Sequence, residues 1–164
     1  MTIRPAKREE LRAVAAFLNA SWRSAYKAIF DPDYLATLDD EERHQRWLEN
    51  YDNGARPVLL LEHDELLGVC NFGPSQTPGF PEDGEVAAIY IREDAIGKGY
   101  GHALLLYAED ALRVQGYAHL VLDVLSQNKR AIKFYQAYGY TKVGQRNFTR
   151  AGKDYPLDIM RKSS

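Results

Sequence analysis

Glycines 97, 99 and 101 alternate with Lys98 and Tyr100 in the stretch IREDAIGKGYGHALLLYAEDAL, just ahead of a strongly apolar helical run. Each glycine weakens a helix it could have entered smoothly, so the position favours bare backbone over helix propensity. The first turn of a helix presents unpaired N–H groups and a partial positive charge, and glycine lets a bulky anion approach without Cβ obstruction. The ligand expected there is a phosphate. The dinucleotide fingerprint G-x-G-x-x-G fails, because its third glycine is replaced by His102 or Leu104. The G-x-x-x-x-G-K-[ST] loop has no match either.

The spacing does fit a third pattern, [QR]-x-x-G-x-[GA], with Ile96 in the opening position and Gly99 and Gly101 in the small-residue positions. It resembles the acetyl-CoA-binding motif of the GNAT-type N-acetyltransferase superfamily. A second, independent match lies downstream in LVLDVLSQNKRAIKFYQAYGY, where Asn128, Ala131, Phe134, Tyr135, Gly139 and Tyr140 resemble that family's N-x-x-A, F-Y and G-[FY] succession. Two departures stand out: Ile96 replaces the usual Gln or Arg, and Glu93 replaces a common proline. Backbone capture of phosphate does not need the side chain of Ile96. Gly97 adds flexibility at the same place.

The resemblance implies one N-acetyltransferase domain over residues 1–164, of α/β class. Its mixed, mostly antiparallel central sheet has about six or seven strands, with helices on both faces. Strands 85–91 and 118–124 are implied to run parallel and splayed, with pantetheine in the gap. Ile89, Tyr90 and Ile91 then line the cofactor, the backbone of Ile89 and Ile91 making the contacts and the Ile89 N–H polarising the thioester carbonyl. The N–H groups of Gly97, Lys98, Gly99, Tyr100 and Gly101 hold the pyrophosphate, and Asn128 hydrogen-bonds pantetheine. Asn128 also has a plain reading as a helix N-cap. Lys129, Arg130 and Lys133 are either a solvated helix face or partners of the 3′-phosphate.

Acyl transfer to an amine poses two proton problems. A lysine-like ammonium has no lone pair and is deprotonated at neutral pH only about once in a thousand molecules or fewer. A departing thiolate also benefits from a proton. By position in the family, Glu85 or Asp123 resembles the base, Glu85 being preferred because Asp123 is shorter and can simply pair with a neighbouring cation. Tyr135 resembles the general acid that protonates the coenzyme A sulfur, against a plain reading as a core aromatic beside Phe134, Tyr138 and Tyr140.

Positioning these residues requires alternating strands and helices. Thr2 to Arg4 reads as a short strand, and Leu11, Val14, Ala15 and Leu18 recur at helical spacing, continued by Trp22, Tyr26 and Ile29 until Pro32 interrupts. DDEERHQRWLENYDNG reads as a helix ending before Gly54, and PVLLLEH and LLGVCNF as two strands joined around His63 to Glu65. Residues 73–84, rich in Pro and Gly, read as a long loop before the strand EVAAIYI. A helix ending at Gly116, the strand AHLVLDV, a helix over NKRAIKFYQAYG and two strands around TKVGQRNF and YPLDIM complete the order.

Composition sets the outer limits. The 164 residues carry a formal charge of −2 and are 45% hydrophobic and 27% charged, which gives no basic face for nucleic acid. Cys70 is the only cysteine, so no internal disulfide or cysteine-rich metal site exists, and it reads as a small core residue. His44, His63, His102 and His119 show no ligand spacing, so no metal is expected. With no spanning run and no signal core, a cytoplasmic protein without a membrane partner is expected. The leading function is transfer of acetyl from acetyl-CoA, as cosubstrate, to a small-molecule primary amine through a ternary complex. A peptide or protein amine is the alternative acceptor, and a non-catalytic acyl-CoA-binding regulatory domain is the rival class. Domains of this kind often pair through sheet edges, which leaves a homodimer open. For the acceptor slot, Trp22, Tyr26, Tyr34 and Phe80 are wall candidates, and Glu82, Asp83 and Glu85 are candidates to attract a cation. The helical spacing of Trp22 and Tyr26 favours core packing for those two.

Overall fold

The computed structural model describes residues 1–164. Hydrogen bonding orders seven strands β1-β2-β3-β4-β5-β7-β6. They are β1 (Thr2–Pro5), β2 (Val58–Glu62), β3 (Glu65–Pro74), β4 (Gly84–Ile91), β5 (His119–Leu125), β6 (Thr141–Arg150) and β7 (Lys153–Ser163). The helices are α1 (Leu11–Ala25), α2 (Pro32–Ala36), α3 (Asp40–Asp52), α4 (Tyr100–Val114) and α5 (Lys129–Ala137). The chain forms two compact units, Met1–Asn71 with Ala88–Tyr107 and Phe72–Ala87 with Ala108–Ser164.

In the first unit β1, β2 and β3 pair antiparallel, with Ile3↔Leu60 and Leu59↔Val69 among the partners. The β2–β3 turn is His63-Asp64, at φ +51° and +63°, the left-handed pair that a two-residue hairpin requires. Leu11, Val14 and Leu18 of α1 bury one helical stripe against Leu59 and Val69, and Trp47, Leu48 and Tyr51 of α3 close over it. Asp39 caps α3 by accepting the Glu42 N–H at 2.8 Å. The helix expected to continue through Ile29 stops at Ala25, and residues 26–29 form turns. Pro32 both interrupts and restarts: it stands in the first turn of α2, where its missing N–H costs nothing, and Asp31 accepts the Asp33 N–H at 2.8 Å. Gly68 of β3 is a close-approach site, because a Cβ there would lie 2.8 Å from Leu104 Cδ1 and 2.9 Å from Ile91 Cδ1.

In the second unit β4 starts parallel to β5 through Gly84↔Leu120 and Glu85↔Val121. β5 pairs antiparallel with β7, and β7 with β6. Leu120, Val121 and Leu122 are all buried, as expected of a strand covered on both faces. The loop expected over 73–84 is trimmed at both ends, since β3 runs through Pro74 and β4 begins at Gly84. Gly84 is held tightly, its Cβ position lying 3.1 Å from Leu112 and Tyr117. Buried Glu109 accepts hydrogen bonds from Tyr140 Oη at 2.8 Å and pairs with Lys162 Nζ at 2.9 Å, tying α4 to the end of β7.

Candidate active site

The glycine turn lies wholly in the first unit. Glu93–Ala95 form one 3₁₀ turn with Ala95 buried beneath it, and Ile96 leaves it extended and 39% exposed. Gly97 and Gly99 then adopt φ +86° and +87°, and a Cβ on either would meet no protein atom within 4 Å. Gly97 therefore serves a fixed left-handed conformation, where flexibility was the expectation. The first helical bond of α4 is Ala103 N–H to Gly99 O at 3.1 Å, so the amides of the turn before it have no intrahelical acceptor. These open, anion-seeking amides with no side chain in front of them fit a pyrophosphate. Tyr100 turns its hydroxyl away to donate to Glu62 at 3.0 Å, and that carboxylate holds the phenol pKa above its ordinary value. Lys98 is exposed.

Upstream on β4, Ile89, Tyr90 and Ile91 are half-buried. The Tyr90 hydroxyl lies 2.9 Å from that of Tyr26, and burial pushes its pKa up. Trp22, Tyr26 and Phe30 form a ring cluster with centroids 5.1 to 5.5 Å apart, extended by Tyr34 at 5.7 Å from Phe30 and by Tyr90 at 6.3 Å from Tyr26. The Arg43 guanidinium stands 5.5 Å from the Trp22 ring. Trp22 and Tyr26 are thus half-buried members of an aromatic cluster that packs ring on ring and shares a hydrogen bond with β4.

The proton-handling candidates lie in the second unit. Glu85 is half-buried, and its Oε1 accepts the Thr77 hydroxyl at 2.5 Å and the Gln76 N–H at 3.3 Å. Asp123 is committed to Arg146 of β6, which bonds its Oδ2 through both Nε and Nη2, while Oδ1 is buried without a hydrogen bond. Tyr135 is 9% exposed, with the rings of Phe134 and Tyr140 at 5.2 and 5.8 Å. Asn128 caps α5, its Oδ1 accepting the Ala131 N–H at 3.3 Å, and Lys129, Arg130 and Lys133 are exposed on that helix.

One expectation for the acceptor slot changes. Asp83 is buried and bound bidentately by Arg161, at 2.7 and 3.0 Å, so its charge is already matched within the chain. Phe80 lies under the same guanidinium at 5.1 Å. Thr77, Arg146 and Arg161 had no signal in the sequence, since each acts on a carboxylate through a loop or strand pairing that spacing does not encode. Cys70 is buried and its thiol is pushed up to about 12 by desolvation, which makes it a poor nucleophile. No three His, Cys, Asp or Glu side chains cluster to hold a metal ion, and no helix is long and apolar enough to cross a membrane.

Comparison with known proteins places this architecture. The model of the acetyltransferase (GNAT) family matches residues 18–140. The chain is 34% identical over 152 residues to the uncharacterized N-acetyltransferase YuaI of Bacillus subtilis (strain 168), covering 93% of this chain and 87% of that protein. It is 38% identical over 141 residues to the peptidyl-lysine N-acetyltransferase YiaC of Escherichia coli (strain K12), covering 84% of this chain and 82% of that one. The acetyltransferase yncA from Salmonella typhimurium, solved with its cofactor acetyl-CoA, superposes with a TM-score of 0.74 at 26% identity, over 99% of this chain and 93% of that one. With the family model spanning both the glycine turn and Tyr135, and the fold shared with a solved relative, the chain belongs to the GNAT family of acetyl-CoA-dependent N-acetyltransferases.

Proposed function

We propose that this enzyme acetylates the primary amine of a small molecule by direct transfer in a ternary complex. The observation that carries the cofactor assignment is the pair Gly97 and Gly99, both left-handed and open in front, immediately before α4. Acetyl-CoA, when bound, supplies an activated acetyl thioester. In the first unit the amides from Gly97 to Gly101 hold its pyrophosphate, while Ile96 only orients the turn. The backbone of Ile89 and Ile91 holds pantetheine, and the Ile89 N–H faces the carbonyl oxygen where negative charge develops.

In the second unit Glu85 takes a proton from the acceptor ammonium, directly or through water, and the freed nitrogen lone pair forms the C–N bond. Tyr135 gives its hydroxyl proton to the sulfur as the C–S bond breaks and is restored by the second proton that the nitrogen sheds, while the proton on Glu85 passes to solvent, so the products are an amide, a thiol and one released proton. Asn128 spends its Oδ1 on the α5 cap and keeps its amide N–H groups for pantetheine. Glu85 is favoured over Asp123 because Arg146 already engages Asp123. The buried, unreactive Cys70 supports transfer without an acyl-enzyme on sulfur. A peptide lysine is the second acceptor class, favoured by the 38% identity to the peptidyl-lysine enzyme.

Calorimetric titration with acetyl-CoA, with dephospho-coenzyme A as comparison, tests the cradle. A Kd of about 1 μM, roughly −8 kcal/mol, is expected. Thiol release with spermidine, kanamycin and a lysine-containing peptide then ranks the acceptors. Absence of acetyl-CoA binding overturns the reading, and turnover only with the peptide reassigns the acceptor.

A further inference from the structure

We propose that Thr77 is a positioning residue for the reaction, holding the Glu85 carboxylate in the one orientation that leaves a single oxygen open. The inference rests on Glu85 as the base and adds a residue from a loop that nothing in the glycine or tyrosine motifs implicates. A glutamate on a strand has three rotatable bonds, so a half-buried one does not hold its carboxylate still unless something grips it. Here Oε1 is gripped twice, by the Thr77 hydroxyl at 2.5 Å and by the Gln76 N–H at 3.3 Å. With Oε1 occupied as an acceptor, proton uptake falls to Oε2.

The loop is built to present that hydroxyl. Residues 75–83 are rich in Pro and Gly, yet they close on themselves through Ser75 N–H to Asp83 O at 3.0 Å and Phe80 N–H to Thr77 O at 3.2 Å. The Thr77 N–H is taken by Ser75 Oγ at 3.1 Å, which sets the direction of the residue. The far end is anchored by the buried Asp83–Arg161 pair, with Phe80 against the same guanidinium. Thr77 is left only 3% exposed, so its hydroxyl has little access to water as an alternative partner. A buried hydroxyl facing a carboxylate can only donate to it.

The test uses the whole enzyme with acetyl-CoA and the most active of spermidine, kanamycin and the lysine peptide. Thr77→Val keeps the branched shape and removes the donor; kcat is expected to fall about tenfold with an unchanged KM for acetyl-CoA. Thr77→Ser is expected to stay within about twofold of the parent, and Thr77→Cys, a weaker donor, to fall between. In the Glu85→Gln background Thr77→Val is expected to cause no further loss, because there is no base left to position. Melting curves establish that each variant is folded, and if Thr77→Val is not, the order of Ser above Cys carries the test. A parental kcat in Thr77→Val, a tenfold loss that persists in the Glu85→Gln background, or a Ser variant as slow as Cys would overturn the role of Thr77. If Glu85→Gln alone retains full kcat, the base assignment falls first and the positioning role with it.

Discussion

Tyr135→Phe removes one oxygen and almost nothing else. The ring is 9% exposed and touches Phe134 and Tyr140 edge to face, contacts that phenylalanine keeps in the same rotamer. The lost hydroxyl contributes about 1 kcal/mol or less to folding, the net worth of one hydrogen bond. Its worth in turnover is larger. Positioned general acids contribute about 100- to 10,000-fold, and the lower end applies here because a thiolate leaves unaided better than an alkoxide. A 100-fold fall in kcat corresponds to about 2.7 kcal/mol of lost barrier lowering. The assay is thiol release at saturating acetyl-CoA and amine, paired with calorimetry for acetyl-CoA and a melting curve. The expected pattern is kcat down, Kd unchanged and Tm nearly unchanged. Undiminished turnover would remove Tyr135 from the mechanism, and a rate loss that merely tracks a lowered Tm would make it a packing residue.

Gly99→Ala keeps open space around the new methyl but forces a side chain into φ +87°, at a cost of about 1–2 kcal/mol for the left-handed backbone. Calorimetry should show acetyl-CoA affinity weakened about tenfold or more, since in the proposed cradle the methyl also faces the pyrophosphate; unchanged affinity would move the pyrophosphate elsewhere. Glu10 is held at about 2 chiefly by its hydrogen bonds with Arg4, to which the Lys7 N–H adds another. A depressed carboxyl stabilises the fold above its unfolded value near 4.5 and loses that contribution as pH falls toward 2. Glu10→Gln should therefore cost about 1 kcal/mol at neutral pH, after allowance for solvent screening, and nothing near pH 2. Urea melts that keep the same gap at both pH values would refute that assignment.

Periodicity made most elements legible. Leu11, Val14, Ala15 and Leu18 mark one helical face, and the apolar run of β5 marks a strand buried on both sides. The glycine turn was legible because it is local: three residues and the helix after them fix the backbone shape. What escaped was pairing at a distance. Asp123 meets Arg146 across the intervening β7, in a strand order that reverses the sequence order of the last two strands. Asp83 and Arg161 are 78 residues apart, and their contact turned a supposed cation attractor into an anchor. The grip on Glu85 depends on how a loop folds back over eight residues, which Pro and Gly content flags as irregular without saying where a hydroxyl ends up.

Gly68 has no role in any proton transfer, yet it sets how closely side chains pack behind the glycine turn. Its missing side chain is the space in which Leu104 of α4, the helix with the glycine turn at its head, and Ile91 of β4 come together. A methyl at position 68 meets the tips of two flexible side chains, so the packing answers first by new rotamers of Leu104 and Ile91 rather than by moving α4 away from β4.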